Sequence, residues 1–222
     1  MSLAIFDLDN TLIADDSDHL WGMFLCEEGV VDANEYSKRN DEFFSNYADG
    51  SLDIYAYQKF VLRPLAAMPL AKLEELRFHF ISKKIDLIIL KRGKDLIEEH
   101  VNNGDHPIII TATNDFVARP IATLLGIEDL LACTAEFKDG SYTGEILGTP
   151  TFKEGKVSRL KEWAKQNRKN LKGAWFYSDS HNDLPLLEFV DNPVAVDPDK
   201  ILKNIANERG WKIISLRNQK SL

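Results

Sequence analysis

The chain is poor in cysteine, in long apolar runs and in positive charge. Two cysteines, Cys26 and Cys133, stand far apart among 222 residues. That excludes a disulfide framework and any finger-type thiolate metal site, and both are expected as plain buried thiols. No stretch approaches the ~18 apolar residues of a membrane span, and the opening Met1–Phe6 reaches an acid at Asp7, too early for a secretory leader. Lys and Arg number 27 against 35 Asp and Glu, a net charge of −8, so a general nucleic-acid binder is disfavoured. The expected setting is reduced and cytoplasmic, with no membrane and no nucleic acid; these totals do not fix oligomeric state. An anionic substrate would have to be drawn in by local cations or a metal rather than by the overall field.

What is present is an alternation of strand-like and helix-like segments. Leu3–Phe6 is a short continuous apolar run, the pattern of a strand buried on both faces. Similar runs recur at Pro107–Ile110, Ala174–Tyr177 and Pro193–Val196, with Lys212–Ser215 weaker. Helical patterns fall between them: Lys94–Asn103 before Gly104, a segment from Asn114 or Asp115 to Leu125 that contains Pro120, and the face Val157, Leu160, Trp163 and Ala164. Asp197-Pro198 is expected to start a last helix that ends before Gly210. The fold class is therefore α/β: a doubly wound parallel sheet with a Rossmann-like core. Positions 15–84 break the rhythm, with apolar faces Leu20, Trp21, Phe24, Leu25 and Leu70, Leu73, Leu76, Phe80. They read as an inserted helical cap, leaving 1–14 plus 85–222 as the core. Asp139-Gly140 between alternating residues marks a small β-hairpin, and the last six residues are expected to fray.

Chemistry-bearing residues collect where strands end. Asp7-Leu8-Asp9-Asn10-Thr11 follows the first run directly, which delivers two acids to the ligand edge of such a sheet. Two carboxylates that close repel unless a cation or shared proton relieves them, although an isolated Asp-x-Asp also serves as a helix cap. Asp179 and Asp183 bracket a turn after the Ala174 run, and hard oxygens gathered from two strand ends suit Mg²⁺. Thr111-Ala112 offers a hydroxyl and small side chain before a helix, a natural phosphate cradle or simply a cap. Lys156 opens the helix carrying Val157 and Leu160; a lysine there opposes the helix dipole and calls for an anion beside it. Lys156 is preferred to Lys153, because Gly155 precedes it and Val157 fixes the helix phase.

This ordered set, Phe6–Leu12, Ile110-Thr111, Gly155-Lys156 and Tyr177–Asp183, resembles the haloacid dehalogenase-like hydrolase superfamily. The helical insert and the hairpin resemble its phosphoserine phosphatase-like branch. The resemblance implies a Mg²⁺-dependent phosphatase acting on a small phosphorylated metabolite through an aspartyl-phosphate. Asp7 would be the nucleophile and Asp9 the general acid and then base. Asp7, the Asp9 carbonyl and Asp179, with Asp183 nearby, would hold Mg²⁺. Thr111, Ala112, Lys156 and Asn182 would hold the phosphoryl group.

Phosphoserine phosphatases of that branch carry a glutamate shortly after the first motif and an arginine in the cap. Here Asp16 fills the first slot, and Val61 the second, with Arg63 two residues on. An acid-rich entrance without a partner for a carboxylate suits a leaving group bearing an amine or imidazole. Phe6–Leu12 together with Asp16–Trp21 also resembles bacterial histidinol-phosphatases, so histidinol phosphate is the expected substrate and phosphoserine the alternative. A phospho-acceptor signalling domain and a phosphotransferase are the rival classes.

Overall fold

The computed structural model describes residues 2–217; the expected fraying, from position 218 onward, lies outside them. Seven strands form one sheet in the order β4-β3-β2-β1-β5-β6-β7. They are β1 (Leu3–Phe6), β2 (His106–Asn114), β3 (Asp129–Lys138), β4 (Ser141–Leu147), β5 (Trp175–Ser178), β6 (Asn192–Val196) and β7 (Lys212–Ile214). All neighbouring pairs are parallel except β3 with β4, the hairpin expected at Asp139-Gly140. The doubly wound reading holds, with one correction. β3 begins at Asp129 and pairs with β2 through Leu131, so the hairpin's first arm is also a core strand.

Strand alternation divides the core between two faces. Ala4 and Phe6 of β1 join the cluster containing Phe116, Val117 and Ile121, whereas Leu3 and Ile5 pack with Leu160, Leu186 and Leu202 on the other side. Helices cover both faces, as parallel strands require. They are α5 (Lys91–Asn102) and α6 (Asp115–Leu124) on the first, and α7 (Glu154–Gln166), α8 (Leu184–Leu187) and α9 (Lys200–Arg209) on the second. Pro120 is accommodated within α6. It has no N–H for the Phe116 carbonyl, and Arg77 Nη1 supplies the missing donor at 3.1 Å. The last helix starts later than expected: Asp199, not Asp197, accepts from the N–H groups of Ile201 and Leu202.

The helical insert comprises α1 (Ser17–Glu27), α2 (Ala33–Asp49), α3 (Ile54–Ala66) and α4 (Leu70–Phe80), then a π-helical turn at Ile81–Ile85. Its neck is a small antiparallel pairing: Ala14 N–H donates to the Ile88 carbonyl at 2.8 Å and Leu90 N–H to the Leu12 carbonyl at 3.1 Å. The insert packs on the core through the main apolar cluster, and Phe43 and Leu52 form a second, smaller cluster with Phe152. Trp21, Phe24, Leu73 and Phe80 belong to the same apolar cluster as Phe6 and Phe116. Among the described residues no helix is long and apolar enough to cross a membrane. Cys133 is buried as expected, Cys26 only half-buried, and both are free thiols.

Candidate active site

Register carries the acids to one edge of the sheet. Phe6 lies beside Ile109 of β2 and Tyr177 of β5, so Asp7, Thr111 and Asp179 all emerge at the carboxyl ends of adjacent strands. Asp7 is still held by the sheet, its N–H donating to the Tyr177 carbonyl at 2.9 Å. The chain then turns on one atom: the N–H groups of Thr11, Leu12 and Ile13 reach the Leu8 carbonyl at 3.3, 2.9 and 3.2 Å. Asn10 makes this possible at φ 55°, a conformation that Asn tolerates better than most residues. Thr11 ties the two acidic loops together. Its hydroxyl donates to Asp179 Oδ1 at 3.1 Å and accepts from the Asp179 N–H at 3.2 Å.

Lys156 is the centre of the charge arrangement. Its side chain is 1% exposed, with Nζ donating to Asp7 Oδ1 at 2.8 Å and to Asp183 Oδ2 at 2.8 Å, and lying 2.7 Å from Asp183 Oδ1. Burial opposes the ammonium, but the charges of Asp183 and Asp7 outweigh it and raise its pKa. Gly155 permits this placement for a steric reason. A Cβ there would collide with the Pro150 carbonyl, so the start of α7 rests directly on that backbone. Lys153 is elsewhere, donating to the Gly50 carbonyl of the insert at 2.8 Å.

Asp9 sits between core and insert. Ser17 donates to its Oδ1 from both N–H and hydroxyl at 2.6 Å, while Thr113 and Thr111 hydroxyls approach Oδ2 at 2.7 and 3.2 Å. Nothing in the local sequence marks Ser17 or Thr113 as partners of Asp9. Ser17 opens α1, where a hydroxyl ordinarily reads as a cap, and Thr113 stands near the end of β2 with no local sign that it points at Asp9. Thr111 is itself positioned by buried Thr151, whose hydroxyl donates to the Thr111 carbonyl at 2.5 Å. Ala112 lines the cavity and accepts from Gln58 Nε2 of α3 at 3.0 Å.

A family model for haloacid dehalogenase-like hydrolases matches residues 4–188. The chain belongs to the haloacid dehalogenase-like hydrolase family. It is 42% identical over 220 residues to a histidinol-phosphatase of Neisseria meningitidis serogroup C (strain 8013), covering 97% of this chain and 99% of that one. It is 32% identical to a phosphoserine phosphatase of Mycobacterium tuberculosis (strain ATCC 25618 / H37Rv), covering 96% of this chain and 70% of the relative. A solved structure of a protein of unknown function from Bordetella pertussis Tohama I superposes with a TM-score of 0.92 at 40% identity, covering 97% of this chain and 99% of that one.

In this member of the haloacid dehalogenase-like family the cavity beneath the insert is lined by Asp7, Asp9, Asp16, Asp18, Thr111, Ala112 and Thr113. Its roof includes His19, Asn40, Phe43, Phe44, Tyr47 and Tyr57. No lysine or arginine lines it among the described residues. Burial first, then the Asp183 and Asp9 charges, push the Asp7 carboxyl up to about 7 against the pull of Lys156. Burial and the Asp9 charge push Asp16 up to about 7 as well. Asp16 also caps α1, accepting from the N–H groups of Asp18 and His19. Asn182, expected at the phosphoryl group, and Arg63, a candidate for substrate specificity, do not line this cavity. Arg63 lies on the outer face of α3, its guanidinium 5.9 Å from the Phe60 ring and bordering surface grooves. Val61, two residues earlier on the helix, is the one turned inward at 1% exposure. Asn182 donates its amide to the Tyr47 carbonyl at 2.8 Å, so it clasps the insert to the core instead.

The donor set fits a hard divalent cation in part. Asp7 and Asp179 face each other at two strand ends, and burial with the Asp7 and Asp183 charges raises Asp179 well above its ordinary value. A bound cation is what would let both stay ionised. Asp183 contributes differently from expectation: both its oxygens face Lys156, and Ser178 Oγ donates to Oδ2 at 2.7 Å. Among the described residues no three acidic, histidine or cysteine side chains converge as ligands. Two carboxylates completed by a main-chain carbonyl, phosphate oxygens and water is a set that suits Mg²⁺.

Proposed function

We propose that this chain is a Mg²⁺-dependent phosphatase whose Asp7 attacks a phosphate monoester and forms an aspartyl-phosphate. The observation that carries the reading is the buried Asp7–Lys156–Asp183 ion arrangement at the carboxyl end of β1. Asp7 is 3% exposed, in a place where an unpaired carboxylate would be unstable, and its oxygen is oriented by a fixed ammonium. Mg²⁺ held by Asp7, Asp179 and the Asp9 carbonyl would reduce the repulsion between a carboxylate and a phosphate dianion. Lys156 works in the same direction, and Thr111 with the backbone at Ala112 meets the equatorial oxygens.

In the first half-reaction an Asp7 oxygen bonds to phosphorus, the bond to the leaving oxygen breaks, and Asp9 gives that oxygen its proton. In the second, Asp9 takes a proton from water, the water oxygen bonds to phosphorus, and the Asp7 oxygen leaves as carboxylate. Ser17 and Thr113 fix the Asp9 carboxyl in the place this dual duty requires. The insert shuts the site through Gln58, Asn182 and Lys153, which span from one body of side chains to the other and exclude water.

For the substrate, we favour a small monoester whose leaving group is cationic, histidinol phosphate first. Four acids line the cavity and, among the described residues, no lysine or arginine does, a surrounding poorly suited to a carboxylate. Phosphoserine is the second reading, favoured by the phosphoserine phosphatase relative. Ranking histidinol phosphate, phosphoserine and p-nitrophenyl phosphate by kcat/KM separates them; phosphoserine in first place overturns the substrate assignment. Steady phosphate release beyond one equivalent separates an enzyme from a phospho-acceptor domain, and following transfer to added alcohols tests a phosphotransferase. Asp7→Asn is expected to lower turnover at least about 10⁴-fold with the fold intact, measured by phosphate release and circular dichroism.

A further inference from the structure

Arg217, just beyond β7, has no part in the chemistry above and lies outside residues 4–188, the span that the family model matches. Its guanidinium reaches the loop that joins Asp9 to the insert. Nη1 donates to the Ala14 carbonyl at 3.0 Å, and Nη2 lies 3.3 Å from Asn10 Oδ1 and 3.5 Å from the Asn10 carbonyl oxygen. These two residues bracket the turn after the acids. Asn10 follows Asp9 directly at φ 55°, and its N–H donates to the Asp15 carbonyl at 3.2 Å. Ala14 begins the neck, where its N–H meets the Ile88 carbonyl. The N–H groups between them turn onto the Leu8 carbonyl, which leaves oxygens for an outside donor. A planar fork of N–H groups suits two such oxygens at once. The arginine is itself anchored to the core. Leu216 is 5% exposed within the main apolar cluster, and its N–H donates to Asp197 Oδ2 at 2.9 Å. The same Asp197 oxygen lies 4.0 Å from Arg217 Nε. The Arg217 side chain is 41% exposed, so this ion pair adds little stability. What the contact supplies is geometry, tying the carboxyl end of β6 to the loop after β1.

We propose that Arg217 is a positioning residue for the reaction: by clamping Asn10 and Ala14 it fixes the main chain that follows Asp9, and so the place where the Asp9 carboxyl meets the leaving oxygen. Ser17 and Thr113 orient the Asp9 side chain, whereas Arg217 acts on the backbone that carries it. A small displacement of a general acid weakens proton transfer most where the leaving oxygen is most basic. The role rests on the phosphatase reading for its use, but the clamp itself does not depend on turnover.

Two measurements test it. In the first, kcat/KM is compared on phenyl phosphate and p-nitrophenyl phosphate, esters of similar shape whose leaving oxygens differ in basicity. Arg217→Ala is expected to lose at least about 10-fold on phenyl phosphate and under about 3-fold on p-nitrophenyl phosphate, because the more basic phenolate depends on the Asp9 proton. Arg217→Lys keeps the charge but not the fork and is expected to show the same split. Added guanidinium should recover at least about 3-fold on phenyl phosphate in Arg217→Ala, which loss of a merely structural contact would not allow. Equal losses on both esters, no loss on either, or full activity in Arg217→Lys overturns the positioning role. In the second, hydrogen exchange of metal-free wild type and Arg217→Ala is followed between Asn10 and Ala14. Exchange there at least about 10-fold faster in the variant, with β2 and β5 unchanged, supports the clamp. Unchanged exchange in that loop overturns the clamp whether or not wild type hydrolyses either ester, so failure of the phosphatase reading stays distinguishable.

Discussion

Replacing Lys156 with methionine is the most informative perturbation of the folded protein. The variant keeps the length and apolar stem of a side chain that is 1% exposed, and removes only the ammonium facing Asp7 and Asp183. Breaking a buried ion pair by deleting one partner typically destabilises by about 3–5 kcal/mol, because the remaining charge is left desolvated. Here two carboxylates are left, so the upper part of that range is expected for metal-free protein at pH 8. The deficit should shrink on acidification. Lys156 is an influence that lowers the Asp7 carboxyl, already raised to about 7 by burial, so without it Asp7 binds a proton more readily. Between the unfolded value of 3.8 and that raised value the folded variant binds more protons than the unfolded chain, and stability rises as pH falls. Adding Asp183→Asn removes one orphaned charge and should restore roughly 1–2 kcal/mol, a coupling expected only of residues in contact. Urea unfolding followed by tryptophan fluorescence, with chelator present, measures all three. A loss under about 1 kcal/mol at pH 8, with no recovery in the double variant, would refute the ion arrangement as the account of this site.

Other outcomes follow from neighbouring features. In wild type without metal, Asp7 and Asp16 have carboxyls raised to about 7, so stability should fall as pH rises from about 4 to 7; a thermal midpoint higher at pH 8 than at pH 5.5 contradicts this. Gly155→Ala drives a Cβ into the Pro150 carbonyl, so it should shift the start of α7, displace Lys156 and reduce turnover far more than Ser158→Ala, which changes an exposed position of the same helix. Trp21→Ala opens a hole among Phe24, Phe80 and Phe116 and should lower unfolding stability by about 3–5 kcal/mol. Trp21→Phe should lower it much less, because the indole N–H has no partner to lose.

How much could be read from the sequence depended on whether a signal was local. β1 and β5 are short apolar runs followed at once by acids, so both the strands and the sheet edge they serve were legible. Lys156 was legible through the dipole it opposes. β3 was half missed, because Leu130-Leu131-Ala132-Cys133 suits a buried helix as well as a strand and only its hairpin end carries a turn signal. The start of the last helix is ambiguous by two residues, since Asp197-Pro198 and Asp199 both suit a cap and only the fold decides which side chain meets the free N–H groups. The placement of Arg63 and Asn182 has a different cause. Which face of α3 turns inward, and which partner Asn182 finds across the cleft, are set by contacts between segments far apart in the chain. The same non-locality hid Ser17 and Thr113 beside Asp9.

The central claim is that Asp7 becomes covalently phosphorylated, and trapping that bond tests it most directly. Acid-quenching the enzyme during turnover of p-nitrophenyl phosphate, reducing with borohydride and mapping peptides by mass spectrometry should find homoserine at position 7, in a substrate-dependent amount. Modification at Asp9 instead, or no modification during steady phosphate release with the same quench, would contradict the account.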